Sequence, residues 1–334
     1  MAESDIGPPM DGVQAPSKLG VQMSAAVQTR RLTKQFGANR GINDVSIEVR
    51  VGEVFGFLGP NGAGKSTTIR LLLGLHRPTS GQVRVFDLDP GRDPAKINRL
   101  TGYLPGELSL YPRLTGRQHL DRFARIRAMT DVSYRDELVQ RFNVELDRPV
   151  RTLSKGNRQK IGLVAAFMHR PDLLVLDEPT AGLDPLLQDE FVHLVRESAT
   201  AGQTVFLSSH ELDEVQRVVD RLAIIKDGRI IVTDSIDGLR KNAPRTIEFR
   251  FPAPIDPQRF AGHPGVHVLA SSDTRITLSV TGPVAALLRV AADLDALDVS
   301  APPADLDELF LSYYRTDPDA SISATPPPPV RHDP

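Results

Sequence analysis

Between Gly59 and Ser66 the sequence reads GPNGAGKS, a match to G-x-x-x-x-G-K-[ST], set between the apolar run EVFGFLG and the stretch TTIRLLLGL. A strand, a glycine-rich turn and a helix in that order let successive N–H groups close on a phosphate at the positive end of the helix. Gly59, Gly62 and Gly64 permit backbone angles and close approaches that a Cβ would forbid. Pro60, Asn61 and Ala63 complete the turn. Lys65 is expected to reach the outer phosphates, and the Ser66 hydroxyl to ligate Mg²⁺ with Thr67 beside it.

A second candidate lies in DLLVLDEPT, where the apolar run Leu173–Leu176 leads into adjacent Asp177 and Glu178. A buried strand that ends in two acids is costly unless a cation waits there. Nucleotide-bound Mg²⁺ is the expected cation, held by Asp177 through its water shell. Glu178 would then point to the other side, toward the γ-phosphate, where it can orient and deprotonate the attacking water. The bland alternative is two acids that cap the following helix. On these residues alone a kinase, a GTPase and a motor ATPase all remain open.

Those groups need a scaffold, and the chain supplies a recurring one. From Val27 to about Lys241 the strand-like runs EVFGFLG, LLVLDEP, TVFLSS and LAIIKDG alternate with helical stretches, the pattern of an α/β domain with a mainly parallel sheet. After KNAPR the runs shorten. TIEFRF, VHVLASS and RITLSV read as half-buried strands, PVAALLRVAADL has helical spacing, and LDVSAPP reads as one more strand. They predict a small α+β domain over 242–316, ferredoxin-like in outline and closed by a short helix in DLDELFLSYYR. Residues 1–26 and the Pro-rich 317–334 are expected to be disordered tails, with Met23 a candidate start. No internal repeat is visible, so one copy of the chemistry is expected.

Composition narrows the partners. Lys+Arg 40 against Asp+Glu 42 gives a formal net charge of -2, so no global basic excess is available to hold a nucleic acid or an anionic bilayer. The absence of Cys removes disulfides, thiolate metal sites and cysteine nucleophiles, which fits a reducing compartment such as the cytoplasm. No run reaches the roughly 18 to 20 apolar residues of a spanning helix, and no secretory signal is visible at the start. Any action at a membrane is expected to pass through a partner.

Four further segments resemble one family. TLSKGNRQK from Thr152, AGLD from Ala181 to Asp184, SSH ending at His210 and the aromatic of LTKQFG at Phe36 have the order and spacing of the nucleotide-binding subunits of ABC transporters. The resemblance covers about Val27 to Lys241. It implies a P-loop NTPase with an ABC-type nucleotide-binding domain: a mainly parallel sheet with antiparallel β and helical subdomains, the latter over about 102–165. Phe36 would stack on adenine, Gly59 to Thr67 would form the Walker A loop, and Asp177 and Glu178 would complete Walker B. His210 would be the switch histidine that contacts the γ-phosphate. Leu153, Ser154 and Gly156 keep most of the signature motif, with Lys155 and Asn157 at its two altered positions, and in this family the motif faces the nucleotide of the opposite subunit. A head-to-tail dimer, homomeric or heteromeric, is thereby implied, with Asp184 in the loop between the two sites.

The sequence also departs from the family pattern. The signature reads LSKGN rather than the commonest LSGGQ, and in TGYLPGELSLYPRLT Gly106 stands where a glutamine usually bridges Mg²⁺ and the coupling surface. Glu107 is the expected substitute and a further candidate metal ligand, although a carboxylate cannot donate the amide's hydrogen bond. Phe36 read alone could be a core residue, and His210 could cap the helix that follows it. Taken together the segments resemble the ATP-binding subunits of bacterial drug and antibiotic exporters of the daunorubicin-resistance type. That resemblance implies an ATPase using ATP and Mg²⁺ beneath a separately encoded membrane permease, exporting a drug, antibiotic or lipid-like substrate. A soluble ABC ATPase acting on ribosomes or nucleic acid is the alternative. It lacks support in the charge balance, and the chain carries neither a second ATPase unit nor a long coiled coil.

Overall fold

The computed structural model describes residues 25–37, 39–302 and 309–310. The chain opens with strands β1 (Ala25–Phe36), β2 (Asn39–Val45), β3 (Glu48–Arg50) and β4 (Val54–Leu58). Helix α1 (Lys65–Leu72), β5 (Ser80–Val85), α2 (Pro94–Leu100) and β6 (Thr101–Leu104) follow. Three helices come next, α3 (Gly116–Ile126), α4 (Ser133–Arg141) and α5 (Lys155–Phe167). Then β7 (Leu173–Asp177), α6 (Pro185–Thr200), β8 (Thr204–Ser209), α7 (Leu212–Gln216), β9 (Arg221–Lys226), β10 (Arg229–Ser235) and α8 (Ile236–Asn242) complete the larger unit.

Its central sheet has the order β10-β9-β4-β8-β7-β6, and every pairing is parallel except β10 with β9. The runs β4, β7 and β8 are buried along their whole length, as a parallel sheet covered on both faces requires. Alternation persists within them as a choice between two cores. Val54, Leu58, Leu174, Leu176, Val205 and Leu207 pack on one side with the helical segment. Phe55, Phe57, Leu173, Val175 and Phe206 pack on the other, beneath an antiparallel sheet in which β1 pairs with β2, β3 and β5.

Two expected boundaries move. Strand β1 begins at Ala25, and Ala26 is fully buried, so the ordered unit starts ahead of Val27. The helical segment does not begin at Gly102. Residues 101–104 form β6, in register with β7 (Gly102 opposite Leu174), and α5 continues to Phe167. The remainder of the expected N-terminal tail and the Pro-rich end lie outside the described residues.

The smaller unit contains β11 (Arg245–Arg250), α9 (Gln258–Ala261), β12 (Val266–Ser272), β13 (Arg275–Val280), α10 (Ala285–Asp293) and β14 (Asp298–Ser300). Its sheet has the order β12-β13-β11-β14 with antiparallel pairings throughout, the split arrangement of a ferredoxin-like fold. Ile247, Phe249, Phe260, Ile276, Leu278 and Leu287 form its own core. Of the expected closing helix only Leu309 and Phe310 are described, and they pack on the core of the larger unit rather than on this one.

Just past the end of α5 both ring nitrogens of the half-buried His169 are enclosed, and neither has a well-aligned hydrogen bond. Arg127 stands nearby, donating to the carbonyls of Asn98, Arg99 and Thr101 at 2.9, 3.3 and 2.8 Å. Burial, seconded by the Arg127 charge, pushes the His169 pKa down to about 4, and the Thr101 backbone only partly opposes it. The unfolded chain therefore takes up this proton first. The contribution is complete above the ordinary histidine range and is lost as pH falls through about 4. Urea unfolding followed from pH 7 to pH 4 should lose on the order of 2–3 kcal/mol through this group. The variant His169→Gln should flatten that part of the pH profile, and an unchanged slope would contradict the assignment.

Candidate functional site

A cleft of about 520 Å³ opens at the C-terminal ends of the parallel strands, where open α/β sheets place their ligands. One wall is the turn between β4 and α1. Gly64 caps α1 at φ 112°, a left-handed conformation in which side chains are strained. A Cβ on Gly59 would lie 2.4 Å from the Ile225 carbonyl oxygen, so only glycine lets the turn sit this close to β9. Pro60, Asn61, Gly62, Gly64, Lys65, Ser66 and Thr67 line the cleft, whereas Gly59 and the buried Ala63 lie behind the turn. The Lys65 ammonium is nearly enclosed. It donates to Gly59 O at 2.5 Å and Pro60 O at 3.4 Å, and pairs with Glu178 Oε1 at 3.1 Å.

The opposite wall is the end of β7. Asp177 is 4% exposed and accepts from Ser66 Oγ at 2.8 Å through one oxygen and from Ser208 Oγ at 2.5 Å through the other. Ser208 belongs to β8, which lies between β4 and β7, so three neighbouring strands meet at this carboxylate. Glu178 turns the other way. Its φ is 49°, its N–H donates to Ser208 O at 3.1 Å, and its Oε2 lies 2.8 Å from His210 Nδ1. Lys65, Glu178 and His210 therefore form one continuous polar chain. The two acids do not cap a helix: α6 is capped by Asp184 and α7 starts after Glu211.

Phe36 ends β1 on the rim of the cleft and is 42% exposed, with its ring against His76 (centroids 5.5 Å apart, edge-on). A core role for it is therefore set aside. Gly106 faces the cleft, with its missing Cβ 3.4 Å from the Asp177 carboxylate, and Glu107 follows as an exposed lining residue. Arg70 and Tyr103 also line the cleft, and the sequence reading had passed over both. Arg70 was legible as the residue one helical turn beyond Ser66 on α1. Burial, then the Asp177 charge, raises the Tyr103 hydroxyl pKa, so Tyr103 stays a neutral hydrogen-bonding group.

The residues Leu153 to Asn157 do not line this cleft. Ser154 caps α5, its Oγ accepting from Asn157 N at 3.1 Å, and Lys155 and Gly156 pack beside Gly182. Leu153 is buried. The Asn157 amide is engaged within the chain, accepting from Glu145 N and donating to Glu145 O, both at 2.8 Å. Asp184 is exposed and caps α6 by accepting from Leu187 N at 3.1 Å.

The donors fit a hard cation carried by a phosphate. Asp177 and Ser66 bring a carboxylate and a hydroxyl oxygen within 2.8 Å of each other. Among the described residues no cluster of three His, Cys, Asp or Glu side chains could cage a metal by itself. Mg²⁺ is suited to such a place because it usually keeps waters and takes phosphate oxygens alongside one or two carboxylates.

A buried lysine in a glycine turn, facing an Asp-Glu pair at the end of the next parallel strand but one, defines a phosphate-loop nucleotide-binding protein. The profile of the ABC transporter family matches residues 42–181. The bacitracin transport ATP-binding protein of Bacillus licheniformis is 37% identical over 231 residues, 68% of this chain and 76% of that protein. The daunorubicin/doxorubicin resistance ATP-binding protein of Streptomyces peucetius is 36% identical over 229 residues, 67% of this chain and 69% of that protein. A solved ATP-binding subunit of an ABC transporter superposes with a TM-score of 0.61 at 30% identity, covering 65% of this chain and 92% of that structure. The chain belongs to the ABC transporter family as an ATP-binding, ATP-hydrolysing protein. Among the described residues no helix is long and apolar enough to cross a membrane.

The Asn157 finding is directly testable. Asn157→Ala leaves the Glu145 N–H and carbonyl without their partner, which should destabilise the chain by roughly 1–3 kcal/mol in urea unfolding. ATP affinity of the isolated chain should stay unchanged, because the residue lies off the cleft.

Proposed function

We propose that this chain energises export of an antibiotic, drug or lipid-like substrate through a separately encoded membrane permease, to which it binds on the cytoplasmic face. The bacitracin-transport and daunorubicin/doxorubicin-resistance roles of the two relatives support the substrate class. The observation that carries the working arrangement is the separation of two half-sites on one chain: the phosphate turn lines the cleft, and the residues from Leu153 to Gly156 do not. A head-to-tail dimer, of two identical chains or of this chain with a related one, brings those halves together. Residues 25–241 would be the motor and 242–316 an appended α+β unit.

In this reading Phe36 stacks on adenine, and the turn from Gly59 to Thr67 holds the phosphates. Ser66 and Asp177 hold Mg²⁺, which when bound neutralises phosphate charge. Glu107, one residue after the Gly106 that takes the place of the glutamine, lines the same cleft and substitutes for it at the loop that faces the permease. Leu153, Ser154, Lys155 and Gly156 address the partner's nucleotide, with Asn157 holding their turn in shape, and Asp184 lies between the two sites. A triphosphate draws Lys65 toward itself and away from Glu178, whose Oε1 has no other aligned hydrogen bond. That oxygen is then free to take the proton of the attacking water, while His210 orients the other.

Replacement of Glu178 by Gln should lower turnover at least about 100-fold while leaving ATP binding and ATP-driven dimerisation in place. Undiminished hydrolysis in that variant would remove Glu178 from its role. Affinity capture of the tagged chain from a detergent extract should recover a membrane protein with several spans. Recovery with ribosomes and no membrane protein would overturn the exporter reading.

A further inference from the structure

Glu214 lies on α7 outside the cleft, and the mechanism above makes no use of it. Its Oε2 accepts from Thr180 Oγ1 at 2.5 Å and from Ser209 Oγ at 3.4 Å. Thr180 stands two places after Glu178, and Ser209 stands immediately before His210. One carboxylate thus joins the two segments whose side chains meet at 2.8 Å between Glu178 Oε2 and His210 Nδ1. The position is a costly one for an acid. Burial pushes the Glu214 pKa up, and the like charges of Glu211 and Glu178 add to that, opposed by the hydroxyl donors.

The turn it holds needs holding. Glu178 is a non-glycine residue at φ 49°, a left-handed conformation that is strained and persists only when its surroundings fix it. From the far side Gln159 of α5, itself buried, donates to Pro179 O at 3.1 Å and Glu178 O at 3.4 Å.

We propose that Glu214 is a positioning residue for ATP hydrolysis: by holding Thr180 and Ser209 on one carboxylate it sets the approach of His210 to Glu178, with Gln159 bracing the same turn from α5. The proposal rests on the reading of Glu178 as the base. Its alignment matters only when water is attacked, so the loss falls on kcat and leaves ATP binding untouched.

The test is steady-state ATP hydrolysis by the full chain carrying Thr180→Val, Glu214→Leu, the double substitution and Thr180→Ser. Each of the first two should lower kcat about tenfold with KM for ATP within about twofold of the parent. The double variant should be no slower than the slower single, since both remove one interaction, and Thr180→Ser should restore at least about half of the rate. Glu214→Gln, which keeps an acceptor for Thr180 and the shape of the side chain, should fall between parent and Glu214→Leu. Together with Thr180→Val it decides the matter if Glu214→Leu does not fold. An unchanged kcat in Thr180→Val and Glu214→Gln, losses that multiply in the double variant, or a loss confined to KM would each overturn the proposal. Measured alongside, Glu178→Gln separates the two ideas. Full activity there removes the base itself, whereas its loss beside an unimpaired Thr180→Val overturns the positioning role alone.

Discussion

A cation enclosed between a glycine turn and the Glu178 carboxylate is the constraint on which the rest of this molecule depends. The Lys65 side chain is 6% exposed, and an isolated ammonium in such a place is costly by several kcal/mol. It is tolerated because the Gly59 and Pro60 carbonyls and the Glu178 carboxylate meet it. Those partners come from two strands that are not adjacent, β4 and β7, with β8 between them. The parallel order of the sheet is therefore a requirement of the site: it delivers the turn, the acids and the Ser208–His210 segment at one edge, in register.

The same constraint explains how the site responds to its substrate. Before a triphosphate arrives, the polar groups satisfy one another: Ser66 and Ser208 occupy Asp177, and Lys65 and His210 occupy Glu178. A polyphosphate with its cation offers each of them a more strongly charged partner. Binding of substrate in the proposed reading is thus an exchange of side-chain partners. The left-handed Glu178 is the part of that arrangement least able to hold itself, and it is tied on both sides.

How far this was legible in the sequence follows from the range of the interactions. The phosphate turn and the Asp-Glu pair were readable because their chemistry needs consecutive residues at the junction of a strand and a helix. The central strands were readable because two-sided burial leaves uninterrupted apolar runs. What escaped were partnerships across the fold. Asn157 looks like a contact residue within its motif, but its amide is committed to the Glu145 backbone, twelve positions away. The strand at Thr101–Leu104 is short and directly follows a helix, so only its pairing with β7 distinguishes it. The Ser208 hydroxyl has its carboxylate partner on another strand, thirty-one positions away. The packing of Leu309 and Phe310 on the larger core could not be inferred from the local pattern, which pointed to the smaller sheet.

Helix α5 connects the signature turn, the Glu178 turn and the His169 corner. Its first turn begins at Ser154, its second presents Gln159 to the Glu178–Pro179 carbonyls, and its end encloses His169. An α-helix transmits displacement along its axis with little loss, because every turn is bonded to the next. If the start of α5 meets a partner's nucleotide, as proposed, the load reaches the turn that carries Glu178 over the five residues from Ser154 to Gln159, about one and a half helical turns or roughly 8 Å. The two sites of a dimer would then be mechanically linked without any long path through the core. Gly156 strengthens the link, since its missing Cβ lets α5 lie against Gly182 in the loop ahead of Asp184. A bulkier residue there would lift the helix off that loop, and with it the amide of Gln159 off the turn that presents Glu178.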